Sequence, residues 1–490
     1  MATGANEVGG VGLERRAVGL PTAISATFGL IVATTIMVTV AQFMFASYVF
    51  LVALAIGLFM MYLQSMSFSE LATMIPKAGS MNEYVRAGLG PFFATLCVLV
   101  GYIAIVLFPG SAEGYAASAI IDGFLWGAAT PQIWVVIIVG FLGILNLLGI
   151  RAFAAVEVFL TFTLAASLLI FGFIGLIGAG SHDPIGGAFP HVPFTWSLLS
   201  TLLGAAVFTF VGVEYTCPLA EELRRPRRDI PWGMFIGLTL VAVPILLYAL
   251  ATVRYVPGDQ LEKFSPVANM DVAIAIFGSA GKWWMGFLSI AATISTLNAV
   301  AAGVPRILYG MSLTGQLPRI FGYLVPTTRA PAVGIVLVSI APIIVNLAID
   351  LGKSTTFIEL ILAGVLGWAS AYFLIHVSQV SLRLREPQAR RPYRAPLFPV
   401  PQFVGSGLLA LAAFKIFPDP TVRDHIYRDY GIFLACAAGF SLLYNLFAYR
   451  NLQTIFRPVP LREVYRETEV IAEDLPPEVE PGLPHLPREG

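Results

Sequence analysis

The chain has 490 residues, of which 57% are hydrophobic and only 12% charged, with 29 Lys and Arg balanced by 29 Asp and Glu. A soluble fold this apolar could not cover itself with polar groups. Zero net charge excludes both a basic nucleic-acid binder and an acidic disordered chain. The composition reads as an integral membrane protein embedded in a lipid bilayer.

No charged residue falls between Arg16 and Glu70. That stretch exceeds the roughly 20 apolar residues of one crossing and any secretory signal, so it predicts two helices with a turn near 46–48. Further uncharged runs cover 87–112, 123–150, 158–182, 184–213, 230–253, 283–305, 330–349, 360–382, 395–414 and 430–449. Twelve crossings follow. Barrel strands are about 10 residues of alternating polarity, whereas these runs are long and apolar on every face. The expected class is an all-α membrane protein.

Basic residues set the orientation. With the N-terminus in the cytoplasm, only Arg254, Lys263, Lys282, Lys353, Lys415, Arg423 and Arg428 of the 29 fall outside. Both termini are therefore expected inside, in the cell membrane. Residues 1–17 form an N-terminal tail, 18–450 the core, and 451–490 a Pro-, Glu- and Arg-rich tail expected to be disordered. The outer loop 179–196 carries Gly, Pro and two His, and is long enough to affect access.

Several motifs fail. Gly352-Lys353-Ser354 looks like the end of a phosphate-binding loop, but Leu347 stands where the earlier Gly is required. The five His lack metal spacing, and Cys97, Cys217 and Cys436 lie far apart in apolar stretches. No set of nucleophile and base meets in a watered site, so no enzyme is expected.

Three polar segments stand out. The first is Ser67-Phe68-Ser69-Glu70-Leu71-Ala72 through Pro76-Lys77-Ala78-Gly79-Ser80 to Tyr84. The second is Phe208-Thr209-Phe210-Val211-Gly212-Val213-Glu214, then Ala220-Glu221-Glu222 and Pro226-Arg227-Arg228-Asp229-Ile230-Pro231. The third is Asn298, then Pro305-Arg306-Ile307-Leu308-Tyr309-Gly310-Met311, Gly315-Gln316-Leu317-Pro318 and Pro331. In order, spacing and topology they resemble the signature segments of the amino acid–polyamine–organocation superfamily of secondary transporters, over roughly 18–450.

The resemblance implies the inverted-repeat fold of the leucine-transporter type. Repeats of about 18–180 and 195–380 would form two halves of five helices, with spans 11 and 12 peripheral at about 400–450. Spans 1 and 6 would be broken at mid-membrane, where free backbone groups meet a solute or ion. Gly212 suits the break in span 6. In span 1 the usual Gly-Ser-Gly-like step falls on Ala33-Thr34-Thr35, which holds no glycine. Substrate contacts are expected at Ala33, Thr34, Thr35, Phe208, Gly212 and Glu214. Phe208 is the expected aromatic gate.

A carboxylate at the depth of Glu214 is functional by default. It can cap free N–H groups, meet a substrate amine or carry a proton. Glu113 and Glu359 read as groups of the outer vestibule, Arg306 as an inner anchor, and Glu157 as a structural group near the inner interface beside Arg151. Ala292-x-x-Ser295-Thr296 is similar to the pattern that sodium-coupled members pair with span 1. The carbonyls of Gly29 and Val32 would complete that oxygen shell. Some proton-coupled relatives place a Lys on span 5 instead, but no Lys lies in 152–176. Sodium, a proton or uncoupled exchange are the alternatives for coupling, and no other cofactor is expected.

The expected function is amino-acid transport by alternating access. A permease for polyamines or other small organic amines is the second reading. A non-transporting sensor on a transporter fold is a third.

Overall fold

The computed structural model describes residues 12–466 except 34, 37–39, 125, 126, 128, 186–191, 262–267, 353, 415 and 418. Thr34 of the expected contact set, the first eleven residues and the tail beyond 466 therefore lie outside the described residues. Among the described residues the structure is helical, with no strand beyond two isolated bridges, Val18 to Leu223 and Leu324 to Pro331.

In chain order the helices are α1 (Leu20–Ala33), α2 (Ser47–Met74), α3 (Met81–Leu89), α4 (Pro91–Phe124), α5 (Pro131–Leu147), α6 (Ile150–Ile177), α7 (Trp196–Phe210) and α8 (Pro226–Tyr255). They continue with α9 (Ala268–Leu313), α10 (Ala332–Ala348), α11 (Ser354–Arg385), α12 (Val400–Phe414), α13 (Pro420–Tyr449), α14 (Leu452–Phe456) and α15 (Leu461–Arg466). Eight segments are long and apolar enough to cross a membrane, and α1, α5, α10 and α12 are shorter apolar helices.

Local chemistry marks where these helices begin. Pro91, Pro131, Pro226 and Pro420 occupy the first turn, where the missing N–H is no loss. Thr195 caps α7 by accepting from Leu198 N–H, and Asp419 caps α13 by accepting from Thr421 and Val422. α9 is longer than the expected span and bends at Gly278, whose φ is 61°.

α1 lies at the centre, buried from Thr22 to Ala33 and packed against α6, α8, α9 and the segment after α7. α13 lies at the edge, with only Ile426, Tyr430, Ala437, Ser441 and Asn445 buried. Outward faces carry Phe141, Ile144, Phe159, Phe173, Leu443 and Phe447, all exposed. A hydrocarbon surround suits such faces, because every helical backbone group is already satisfied internally. The chain is a multi-pass membrane protein.

The C-terminal segment departs from expectation. Residues 451–466, expected to be disordered, form α14 and α15. Ile455 and Val464 are fully buried, Val459 N–H donates to Arg86 O at 3.1 Å, and Tyr465 Oη donates to Met74 O at 3.0 Å. At the other terminus Val18 N–H donates to Glu222 O at 3.1 Å, and Arg224 N–H returns to Val18 O at 2.8 Å. Apolar anchors at Ile455 and Val464 offset the polar composition that suggested a loose C-terminal tail.

Candidate functional site

α7 stops where its backbone leaves the helical region. Val211 is extended, and Gly212 takes φ 109°, which L side chains rarely adopt. A 3-10 run, Val213–Leu219, follows and contains Pro218. A Cβ on residue 212 would sit 2.1 Å from Leu30 Cδ2, so glycine also lets α1 approach. On α1 the described regular helix is Leu20–Ala33, and beyond it Thr35 and Ile36 adopt a wider, π-type turn.

Two hydroxyls tie the first span to the residues around the break in α7. Thr27 Oγ1 donates to Val213 O at 3.0 Å, and Thr35 Oγ1 donates to Thr209 O at 3.1 Å. Ala33 is fully buried at the end of α1, and Phe208 is buried with its ring 6.1 Å from that of Trp368.

Glu214 is fully buried just beyond the break. Tyr372, from the middle of α11, donates to its Oε2 at 2.5 Å and accepts the Gly212 amide at 3.0 Å. The other oxygen, Oε1, has no hydrogen-bond partner among the described residues. Tyr102 and Tyr215 pack edge to face at 5.3 Å within electrostatic range of Glu214, and both hydroxyls are buried without a hydrogen-bond partner among the described residues. Buried polar atoms left this way cost about 1–3 kcal/mol each. A ligand with N–H and O–H groups would satisfy several at once. Tyr372, Tyr102, Tyr215 and Trp368 were not expected. Their only signal in the sequence is a polar-tipped aromatic inside a long apolar run.

The second expected group also assembles. Gly29, Val32, Ala292, Ser295 and Thr296 are all buried. Thr296 Oγ1 donates to Gly29 O at 2.8 Å and contacts Leu30 O at 3.3 Å. Ser295 donates instead to the Oε1 of Glu157. This corrects the position expected for Glu157. Arg151 is exposed and pairs with Glu14 at 2.7 Å, while Glu157 is fully buried and accepts from Asn298 Nδ2 at 2.7 Å. α6 turns Glu157 inward, against α9. Glu113, expected at the outer mouth, is also buried, whereas Glu359 pairs with His425 at 3.0 Å as an interface group would.

Charges of the signature segments lock one end of the bundle. Arg306 pairs with Glu222, with Nη2 to Oε1 at 3.0 Å, and also donates to Ala302 O. Glu70 accepts from Arg383 Nε at 2.7 Å and from Ala395 N–H at 2.8 Å, and is ion-paired with Arg391 at 3.2 Å. Glu221 accepts from Ala78 N–H at 3.0 Å.

Comparison with known proteins agrees with this arrangement. The profile of a family described as amino acid permease matches residues 18–441. The vacuolar cationic amino acid transporter 4 of Arabidopsis thaliana is 26% identical over 305 residues, covering 57% of this chain and 50% of that protein. The human cationic amino acid transporter 4 is 26% identical over 66% of this chain and 52% of its own. The chain thus spans about half the length of these two relatives. The serine/threonine exchanger SteT of Bacillus subtilis is 23% identical over 78% of this chain and 84% of its own. Among solved structures, a manganese transporter of Eremococcus coleocola and the nucleobase-cation-symport-1 transporter MHP1 share the fold. Each has a TM-score of 0.55 and 16% identity, covering 88% and 94% of this chain and 94% and 99% of their own.

Proposed function

The chain belongs to the amino acid permease family, within the amino acid–polyamine–organocation superfamily, and on that premise we propose that it carries amino acids across the cell membrane by alternating access. It is a permease rather than an enzyme. In this reading all twelve apolar segments are crossings. Five and five of them form inverted halves, α12 and α13 are peripheral, and both termini are cytoplasmic.

One observation carries the substrate reading: the buried, half-satisfied carboxylate of Glu214 beside the break after α7, where α1 packs against it. Backbone N–H groups freed at a break suit a substrate carboxylate. Glu214 Oε1 suits the amine. Together they match a zwitterion, with Ala33, Thr34, Thr35, Phe208 and Gly212 around it. A second reading, transport of polyamines or small organic amines, draws on the glycine-free step at Ala33-Thr34-Thr35 and on the additional buried carboxylates Glu113 and Glu157.

A thermal-shift panel of amino acids and amines tests both readings. Glu214→Gln should weaken binding of the preferred solute by about 1.5–3 kcal/mol, the range for a hydrogen bond to a charged group. Unchanged affinity with lowered stability would leave Glu214 a structural cap. Binding without flux in liposomes would mark a sensor. The coupling ion in this reading is either sodium at Gly29, Val32, Ala292, Ser295 and Thr296 or a proton, with uncoupled exchange as the third alternative. Replacing sodium with choline at fixed pH separates sodium from the others.

A further inference from the structure

Far from the breaks, a cleft of about 610 Å³ opens between the residues before α1, the α5–α6 junction and the loop before α10. Arg15, Arg151 and Arg329 line it, together with Glu14, Leu148 and Thr328. We propose that this cleft binds the phosphate of an anionic phospholipid from the surrounding leaflet, whose acyl chains lie along α5. The site is independent of the substrate reading above.

Its three walls are pinned. Leu13 is buried in a cluster with Ala78 and Tyr309, against Leu324, and this seats Glu14 and Arg15 beside the loop. Thr328 Oγ1 donates to Leu147 O at 2.7 Å and ties the loop to the end of α5. Within the loop, Arg329 N–H donates to Val325 O at 2.8 Å and Val325 N–H to Ala330 O at 2.9 Å. Arg151 stands in the first turn of α6 and pairs with Glu14 at 2.7 Å. Side chains presented from a fixed backbone lose less freedom when a ligand arrives.

Charge decides what the cleft can hold. Residues 12–18, 145–156 and 319–331 contain five arginines and one glutamate, with no Lys or Asp. That glutamate, Glu14, is taken by Arg151. Glu221 and Glu222 touch the segment before α1 through their carbonyls, but their carboxylates go to Ala78 N–H and to Arg306. Glu157, farther along α6, turns inward to Ser295 and Asn298. Arg15 and Arg329 form no ion pair or side-chain hydrogen bond among the described residues. Two cations facing one cleft repel each other, and an anion between them turns that repulsion into attraction. The planar fork of a guanidinium matches two oxygens of a phosphate at once.

The apolar wall selects the source of that phosphate. Leu148 lines the cleft, and Ile137, Phe141, Ile144 and Leu148 follow one another at helical spacing on one face of α5. Each is more than half exposed. From Ile137 to Leu148 the ladder runs about 16 Å at roughly 1.5 Å per residue. Half of a hydrocarbon core roughly 30 Å thick is about the same length, so the ladder matches the chains of one leaflet. In the proposed orientation the cleft lies at the cytoplasmic edge of the membrane, where basic pockets between helices take acidic headgroups. A soluble phosphate would use the arginines but leave the ladder untouched. Held in the cleft, the lipid would tie the segment before α1 to α6 and to the loop before α10.

The test uses the full chain purified in dodecyl maltoside, with thermal unfolding followed as lipid is added. Dioleoylphosphatidylglycerol should raise the melting temperature along a saturating curve, and dioleoylphosphatidylcholine should not. Arg329→Gln should weaken the apparent affinity for phosphatidylglycerol about fivefold, and Arg15→Gln/Arg329→Gln about 25-fold. Arg224→Gln/Arg228→Gln removes two exposed arginines outside the cleft and should leave that affinity unchanged. Glycerol phosphate, a headgroup without chains, should stabilise the protein far less than the lipid at the same concentration. Absence of a saturable shift with phosphatidylglycerol, equal stabilisation by phosphatidylcholine, or equal losses in the two arginine pairs would overturn the site. Stabilisation by glycerol phosphate equal to that by the lipid would make the ligand a soluble phosphate and overturn the lipid assignment. The single Arg329→Gln variant and the lipid comparison on wild type keep the test open if the double variant does not fold.

Discussion

Tyr372 clamps Glu214 at the break, donating to its Oε2 at 2.5 Å while accepting the Gly212 amide at 3.0 Å. One hydroxyl thus serves a carboxylate and the backbone group freed where α7 stops, and it fastens α11 to both. Because Oε2 is held, the carboxyl group is fixed in orientation, which is the preorganisation that the proposed binding would need.

Tyr372→Phe removes that hydroxyl and leaves a buried amide and a second carboxylate oxygen unpaired, at about 1–3 kcal/mol each. Thermal unfolding in detergent should shift downward, and substrate affinity should fall as Glu214 loses its fixed direction. A variant with wild-type stability and affinity would show that the clamp contributes little.

Gly212→Ala brings two penalties. The left-handed conformation costs an L-residue roughly 1–2 kcal/mol, and the new Cβ would overlap Leu30 Cδ2 at 2.1 Å. Transport should be lost while the protein still inserts. Adding Leu30→Ala removes the overlap but not the backbone strain, so the double variant should regain part of the melting temperature lost in Gly212→Ala. No recovery would mean that strain alone accounts for the loss.

Glu222 and Arg306 form a buried pair at the locked end, each almost fully covered. Glu222→Gln strands a guanidinium and should cost about 3–5 kcal/mol, the range for breaking a buried pair. Replacing both, with Glu222→Gln and Arg306→Met, should be less harmful than the single change, because no charge is left uncompensated. A double-mutant cycle in unfolding free energy measures this, and strictly additive losses would argue against a coupled pair.

Orientation is open to direct labelling. Cys97 and Cys217 are buried and Cys436 is exposed, so Cys436→Ser supplies a quiet background. Cysteine at the exposed positions Asp183 and Arg224 should then react with an impermeant maleimide from outside and from inside respectively. The reverse pattern would invert the depths assigned to the breaks and to Glu157.

Much of this protein is legible in one dimension because hydrophobicity and charge are local properties. Uncharged runs mark the membrane helices, and the basic residues bias their orientation. A glycine followed two residues later by a lone carboxylate marks the break at Gly212 and Glu214. The same logic misplaced Glu157. Six residues after Arg151 it reads as an interfacial group, yet the rotation of α6 carries it to Ser295 and Asn298, 138 and 141 positions away. It also treated 451–466 as tail, because helices of five and six residues hold too little local signal to show that Ile455 and Val464 find a buried seat. Tyr372 became meaningful only when α11 placed its hydroxyl between Gly212 and Glu214. A hydrogen bond depends on positions matched to a fraction of an ångström between segments far apart in sequence, so the partners of buried polar groups were decided by tertiary packing alone.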